Sequence, residues 1–357
     1  MSRIRLYLSN DTSSCAAGTE RLVEAWRKRS DVELVRTSSR GAFFLEPMVE
    51  RESPEGRLAW CRVTADDLPK ILAGEGGIPV SAIPFLSMQT RHTFATFGVT
   101  EPLSVEAYQA QGGLAGLRAA QAMSPTAIIQ ELKTSRLRGR GGAAFPVWKK
   151  WDVAAATEAD RKYVVANADE GDAGTYCDRM IMEGDPFRLI EGMLICARAI
   201  GAGAGYIYCR QEYPAARATV QAAIRAAGEA GWLESGGKPF VIEVVSGAGS
   251  YVCGEETALL ESLEGRRGVV RARPRRRRAA TWDRSNAARS KTAGEIESRV
   301  QVTGKRRCDK IDTKFTRHGL MFSGSDRQSI PFPFVQPDVS VWPASQSRRG
   351  DRAGIVD

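Results

Sequence analysis

An α/β fold, with a small N-terminal unit followed by a larger one, is what the sequence predicts. Two patterns carry this prediction. Strand-length apolar runs alternate with amphipathic helical runs from residue 3 onwards. Three glycine-rich turns each lead into a helix. At 357 residues the chain is long enough for two or three domains with a sizeable core.

Residues 3–9 (RIRLYLS) alternate as a strand, 17–29 form an amphipathic helix, and 32–37 (VELVRT) form a second strand. Two more strands are expected around 43–50 and 57–63. A helix in TADDLPKILA follows, capped by Thr64, with Asp66 and Asp67 in its first turn. Together they make a βαβ-ββα unit over residues 1–75. Gly74 to Pro84 (GEGGIPVSAIP) reads as a linker that opens a second unit over 76–274. Short helices come first, with His92 read as an ordinary surface or core side chain. Ser124 caps a helix that runs to Leu137, with Pro125 at its first position. Strand 162–168 (KYVVANA), helix 186–200, strand 205–210, helix 214–233 and strand 240–246 then alternate as βαβ units.

Three turns carry the candidate chemistry. In GRGGAAFPVWKKW, Gly139, Gly141 and Gly142 let a ligand approach bare backbone ahead of a helix N-terminus, and Arg140 with Lys149 or Lys150 supplies positive charge. That is a cradle for a phosphate, although Ala144 stands where the dinucleotide fingerprint has its third glycine, and a purely structural turn would use the same glycines. The second turn, NADEGDAGTYCD, puts Asn167, Asp169, Glu170 and Asp172 at the carboxyl end of a buried strand, where open α/β sheets bind ligands. Its spacing lacks the glycine and distal glutamate of a calcium loop, so hydrogen bonding to a ribose and a flat ring is the better reading. The third, GAGSYVCGEETALLESLEG, offers Tyr251, Gly254, Glu255 and Glu256. Its two acids could equally serve as complements to a helix dipole.

Composition narrows the class. No apolar run approaches the roughly 20 residues of a membrane helix and the N-terminus has no signal-peptide core, so a soluble cytoplasmic protein is expected. Cysteines 15, 61, 177, 196, 209, 253 and 308 form no C-x-x-C pair, and none are closer than 13 residues, so no zinc or local cluster motif is written here. Residues 1–274 carry 33 basic and 33 acidic side chains, which leaves the whole net charge of +9 in residues 275–357. With no zinc-finger or RNP pattern, nucleic-acid binding is not expected.

Taken in order and spacing, GRGGAAFPVWKKW, NADEGDAGTYCDRMIMEGDP and GAGSYVCGEETALLESLEGRR resemble the FMN- and NADH-binding 51 kDa flavoprotein family of complex I, over about residues 3–274. NADEGDAGTY with RMIMEGDPF looks most like the beta (diaphorase) subunit of soluble NAD-dependent formate dehydrogenases. The diaphorase subunit of bidirectional hydrogenases is close behind. The resemblance implies a thioredoxin-like, ferredoxin-type domain followed by a Rossmann-like FMN/NAD-binding domain. It also implies hydride transfer between nicotinamide C4 and flavin N5 without a catalytic acid or base, then single electrons to an iron–sulfur cluster. Implied partners are a catalytic molybdenum or tungsten alpha subunit and a small iron–sulfur gamma subunit. By the same resemblance, Gly139, Arg140, Gly141, Gly142 and Lys150 form the FMN-phosphate loop, while Asn167 and Asp169 hold the flavin and ribityl chain. Gly254 and Glu255 complete the flavin site, Phe145 stacks on the nicotinamide or adenine side, and Glu170, Asp172, Tyr251 and Glu256 contact NADH. Acids facing the cofactor would favour NAD over NADP.

The sequence also departs from the family. In SRGAFFLEP, Ser39 and Phe43 stand where the family's second pair of cluster cysteines would be, and Cys15 is the only cysteine near the first pair. The expectation is a first domain without its two-iron cluster, kept as a docking scaffold. After Pro274 the match stops at RRRRAATWDRSNAARSK, and only Cys308 remains beyond it. The family's [4Fe-4S] cluster therefore lacks its ligand set, and the FMN/NAD domain is expected to be incomplete at its C-terminus. Residues 275–357 read as an out-of-frame product or a basic interaction tail, largely disordered in either case. A cofactor-free interaction subunit and a nucleic-acid-binding tail are the alternatives from other classes.

Overall fold

The computed structural model describes residues 3–140, 144–172, 174–271 and, for the backbone alone, 338–343. Its N-terminal unit comprises β1 (Ile4–Ser9), α1 (Thr12–Ala17), α2 (Thr19–Trp26), β2 (Val32–Thr37), β3 (Val49–Ser53), β4 (Gly56–Trp60), α3 (Leu68–Ala73) and β5 (Ile78–Pro79). They form a five-stranded sheet in the order β2-β1-β3-β4-β5, parallel at β1/β2 and antiparallel elsewhere. Leu6, Leu8, Leu22, Trp26, Val49 and Ile71 fill its core.

The expected βαβ-ββα order is present, with three differences of detail. The helix expected at 17–29 is the shorter α2, because Gly18 takes a left-handed φ of 115° at its start, and a further helix, α1, precedes it. The strand expected at 43–50 starts only at Val49. Pro47 has no N–H to give a ladder, and Phe43–Leu45 coil into a 3₁₀ turn instead. The sheet also runs past residue 75, since Ile78 pairs with Ala59 inside the stretch read as linker.

The second unit continues with α4 (Pro84–Ser87), α5 (Val105–Ala110), α6 (Ala115–Gln121), α7 (Pro125–Thr134), α8 (Val147–Ala156), β6 (Lys162–Ala168), α9 (Cys177–Gly184) and α10 (Pro186–Ile200). Then come β7 (Ala204–Cys209), α11 (Pro214–Glu229), a two-stranded ribbon of β8 (Glu234–Ser235) and β9 (Lys238–Pro239), β10 (Val241–Ser246) and α12 (Glu256–Leu263). Strands β6, β7 and β10 run parallel in the order β10-β7-β6, which is the βαβ arrangement the alternating pattern predicts. Apolar residues on both faces of these strands explain the layering. Val164, Ala166 and Ile207 face a core shared with Leu132, Trp151, Leu194 and Val220. Tyr163, Val165, Tyr206 and Tyr208 face Leu259, Leu260 and Leu263 of α12.

One further strand, β11 (Asp338–Pro343), lies antiparallel on the far edge of β6. A tail expected to be largely disordered supplies it. The alternating, β-branched DVSVW segment meets an edge of β6 that would otherwise leave N–H and C=O groups unpaired. The rest of 275–357 lies outside the described residues, Cys308 included.

The two units meet along α9. Thr12 donates its backbone N–H and its hydroxyl to the Glu183 carboxylate, at 2.7 and 2.6 Å, and Arg179 donates to the Ser13 hydroxyl at 2.6 Å. Within the second unit, Thr96 donates to Asp185 at 2.7 Å beside this seam. Gly184 is needed there, because a Cβ would come within 2.6 Å of Ser38 Cβ and 2.7 Å of the Phe97 ring. Burial at this seam pushes the carboxyls of Asp11, Glu46 and Glu183 above their ordinary range, against the opposing pull of Ser14, Met48, Thr12 and Arg179. A carboxyl raised in the folded state holds a proton that the unfolded chain has already released. Its stabilising contribution is therefore complete at acid pH and lost as pH rises through the raised value. The thermal midpoint is expected to increase as pH falls towards the ordinary carboxylate range. Glu20, Asp31, Asp67 and Glu212, which are lowered by their hydrogen-bonding partners, cost stability only at lower pH. Differential scanning calorimetry checks this, and a midpoint that drops over the same interval would contradict it.

Candidate functional site

The second and third predicted turns follow the carboxyl ends of β6 and β10, and the first comes near them through Arg140, which lies in the field of Cys177. The first is a closed loop. Gly139 N–H donates to the Phe145 carbonyl at 2.8 Å and Val147 N–H to the Leu137 carbonyl at 3.1 Å, which pins the loop to the start of α8. Ala144 takes a left-handed φ of 48°, so the position that breaks the glycine fingerprint still adopts a glycine-like backbone. Gly141 and Gly142 lie outside the described residues. Phe145 is 40 % exposed, available to stack on a ligand. Partial burial lowers the guanidinium pKa of Arg140, which lies in the field of Cys177 at the start of α9. Lys149 lies over the Trp148 ring at 5.5 Å, and Lys150 is half-buried on the next position of α8.

The second turn leaves β6 with Asn167, Asp169 and Glu170 all buried. Asn167 Nδ2 donates to the Gly254 carbonyl at 3.1 Å, and its Oδ1 accepts from Asp169 N–H at 3.1 Å. This one side chain ties the second turn to the third. Asp172 is exposed and accepts from Gly174 N–H at 2.9 Å in a local turn. In the third turn the Tyr251 ring lies on Gly171, where a Cβ would approach it to 2.5 Å, and the ring is 72 % exposed. Gly254 is buried at the end of a 3₁₀ turn, and Glu256 is buried in the first turn of α12.

Two expected cofactor contacts have structural duties that the sequence pattern does not assign to them. The Glu170 carboxylate accepts from the N–H groups of Cys177 at 2.6 Å, Asp178 at 3.0 Å and Arg179 at 3.4 Å, and from the Tyr213 hydroxyl at 3.0 Å, so it caps α9. Glu255 caps α12, accepting from Thr257 N–H at 2.9 Å and Ala258 N–H at 3.0 Å. Four orphan N–H groups at each helix start explain both. Arg210 lies beside the second turn, outside the three motifs. It follows β7, donates to the Glu170 carbonyl, and lies over the Tyr213 ring at 5.1 Å. A charge directly after the buried run YIYC is the available signal. Burial, and then Glu170, raise the Tyr213 hydroxyl pKa, so it donates to Glu170 as a neutral phenol, and burial pushes the Cys177 thiol up to about 12.

The N-terminal unit does not fit an iron–sulfur cluster. Ser39 donates to Glu46 at 3.1 Å and accepts from Gly41 N–H at 3.0 Å, and Phe43 packs on Tyr176. Cys15 donates to Glu20 at 3.3 Å, and burial pushes its thiol up to about 12, far from a thiolate ligand.

A parallel sheet whose loops gather glycines, a carboxamide, carboxylates and basic groups at one end is the architecture of a nucleotide-cofactor domain. Residues 132–283 match the Nuo51 FMN-binding domain. Over this segment the chain is similar to the complex I 51 kDa flavoprotein family. It is 47 % identical over 172 residues to an NADH-quinone oxidoreductase subunit of Rhizobium meliloti (strain 1021), covering 47 % of this chain and 41 % of that one. It is 49 % identical over 175 residues to an NADH-quinone oxidoreductase subunit of Aquifex aeolicus (strain VF5), with 48 % and 41 % covered. Against NADP-reducing hydrogenase subunit HndC of Solidesulfovibrio fructosivorans it is 44 % identical over 190 residues, with 52 % and 39 % covered. The chain thus spans about two fifths of the length of these curated relatives. Among solved structures, an NAD+-reducing [NiFe]-hydrogenase in the air-oxidized state aligns with a TM-score of 0.42 at 28 % identity, over 76 % of this chain and 48 % of that one. Among the described residues, no helix is long and apolar enough to cross a membrane.

Proposed function

We propose that the chain is the flavin-bearing, NAD(H)-oxidising subunit of an electron-transfer complex, and that the complex is a soluble NAD-dependent formate dehydrogenase. Its partners are then a molybdenum or tungsten alpha subunit and a small iron–sulfur gamma subunit. The observation that carries the flavin reading is the Asn167 side chain, which draws Gly254 of the third turn onto the carboxyl end of β6. Bound FMN would supply hydride acceptance and release of single electrons. The chain's own residues bind and orient it. Gly139 and Arg140 with Lys150 face the phosphate, Asn167 and Asp169 the ribityl chain and ring, and Phe145 and Tyr251 give apolar surface to the nicotinamide cofactor. Asp172 and Glu256 supply acids beside it, which disfavours a 2′-phosphate.

A second reading is the diaphorase subunit of an NAD-reducing hydrogenase or of an NADH-quinone oxidoreductase; the names of relatives support the latter, and a relative named an NADP-reducing hydrogenase subunit supports a hydrogenase complex. Formate-driven NAD+ reduction on mixing the chain with purified alpha and gamma subunits separates the two, and no reduction beside an active alpha subunit would reject the formate reading. Lys150→Ala is expected to weaken FMN binding about tenfold to a hundredfold, the worth of one charge-assisted hydrogen bond. Flavin fluorescence quenching measures it. A variant that binds FMN normally but melts lower would remove Lys150 from the site.

A further inference from the structure

We infer that Phe43 is a positioning residue through which the N-terminal unit fixes the acidic turn of the candidate site, a role that rests on the cofactor reading above. The Phe43 ring meets Tyr176 edge-on, with centroids 5.0 Å apart and planes at 69°. Tyr176 immediately precedes α9 with φ 38° and ψ 18°, a left-handed conformation that a bulky side chain adopts only when its surroundings impose it. The N-terminal unit contributes Phe43 to those surroundings, beside Phe94 and Phe97 of Tyr176's own unit. Phe97, Met180 and Ile181 form a buried cluster flanked by Phe43, Phe94, Tyr176 and Cys177. Gly41 has the Met180 methyl 3.1 Å from where its Cβ would stand, and the Arg179 guanidinium lies 5.7 Å from the Phe43 ring centroid.

The segment between Glu170 and Cys177 is thereby held at both ends. At one end the Glu170 carboxylate gathers the N–H groups of Cys177, Asp178 and Arg179. At the other, the aromatic contact across the seam keeps Tyr176 in the backbone conformation that aims those N–H groups at Glu170. Without the ring, Tyr176 is free to relax toward negative φ, and the start of α9 turns away from the carboxylate. Glu170 would then lose its cap position, and Asp169 beside it, together with Cys177 under Arg140, would lose theirs. A residue that stands where a cluster ligand would be expected is, in this chain, a mechanical strut.

Hydrogen–deuterium exchange on the full cofactor-free chain reads the strut directly. In Phe43→Ala, the amides of Cys177, Asp178 and Arg179 should exchange about tenfold faster, while those of β1 and β6 keep their wild-type rates. In a Tyr176→Gly background, where the left-handed backbone needs no support and the ring partner is gone, Phe43→Ala should add nothing. With a soluble two-electron dye as acceptor, the KM for NADH of Phe43→Ala should rise several-fold and kcat stay within about twofold. Unchanged exchange, or the same increment in both backgrounds, would overturn the inference. Faster exchange with an unmoved KM would overturn the positioning role. A wild-type chain that oxidises no NADH would reject the cofactor reading instead, and the exchange result would still decide the strut.

Discussion

Glu191→Ala should lower the free energy of unfolding by about 3 to 5 kcal/mol, the cost of breaking a buried charged network from one side. Glu191 lies in the middle of α10 at 1 % exposure, and its carboxylate accepts from Leu114 N–H and Leu117 N–H, both at 2.9 Å, and from the Tyr108 hydroxyl. Helix α6 starts after a left-handed Leu114 with no side-chain cap of its own, so a carboxylate from another helix satisfies its first N–H groups. The alanine variant would leave two backbone donors and a phenol buried without acceptors. Burial and the nearby carboxylates hold the Tyr108 phenol well above its ordinary range, so it cannot ionise to compensate. Urea denaturation gives the number. Tyr108→Phe, which removes one hydroxyl and leaves the carboxylate on both N–H groups, should cost about 1 kcal/mol. A loss below about 1 kcal/mol for Glu191→Ala would mean that water reaches the site.

Asn167→Asp is the other large expected effect. Asn167 is 4 % exposed, and its amide orientation is fixed by a carbonyl acceptor on one side and an N–H donor on the other. The aspartate is isosteric but would face the Gly254 carbonyl with a charged oxygen in place of a donor. About 3 kcal/mol should be lost from the contact between the second and third turns, and if flavin needs both turns, FMN affinity should fall roughly a hundredfold. Isothermal titration with FMN and a thermal melt separate the two. Full FMN affinity in a destabilised protein would make Asn167 a structural tie only.

Regular elements were legible wherever burial and periodicity agree. The strand 162–168 and the helix 186–200 have the ends their patterns predict, because KYVVANA is apolar on both faces and Pro186 and Gly201 bracket the helix. Legibility failed where a single residue overrides a pattern. Gly18 delays the start of an amphipathic helix, and Pro47 delays a strand. Within the site, the glycine turn and Asn167 could be read from residue type and position. The duties of Glu170 and Glu255 could not, since a glutamate at a helix start is written the same way whether it faces a ligand or the helix's own N–H groups. Arg210 and Tyr176 take their importance from partners 40 residues away or in the other unit, a distance that no local spacing encodes.

The contact between Asn167 and Gly254 spans 87 residues of sequence. At a synthesis rate of about 5 to 20 residues per second, Asn167 leaves the ribosome roughly 4 to 17 s before its partner. During that interval the carboxyl end of β6 has no third turn to close against it. A flavin supplied co-translationally therefore has nothing complete to bind, and cofactor capture becomes one of the late steps in the maturation of the chain.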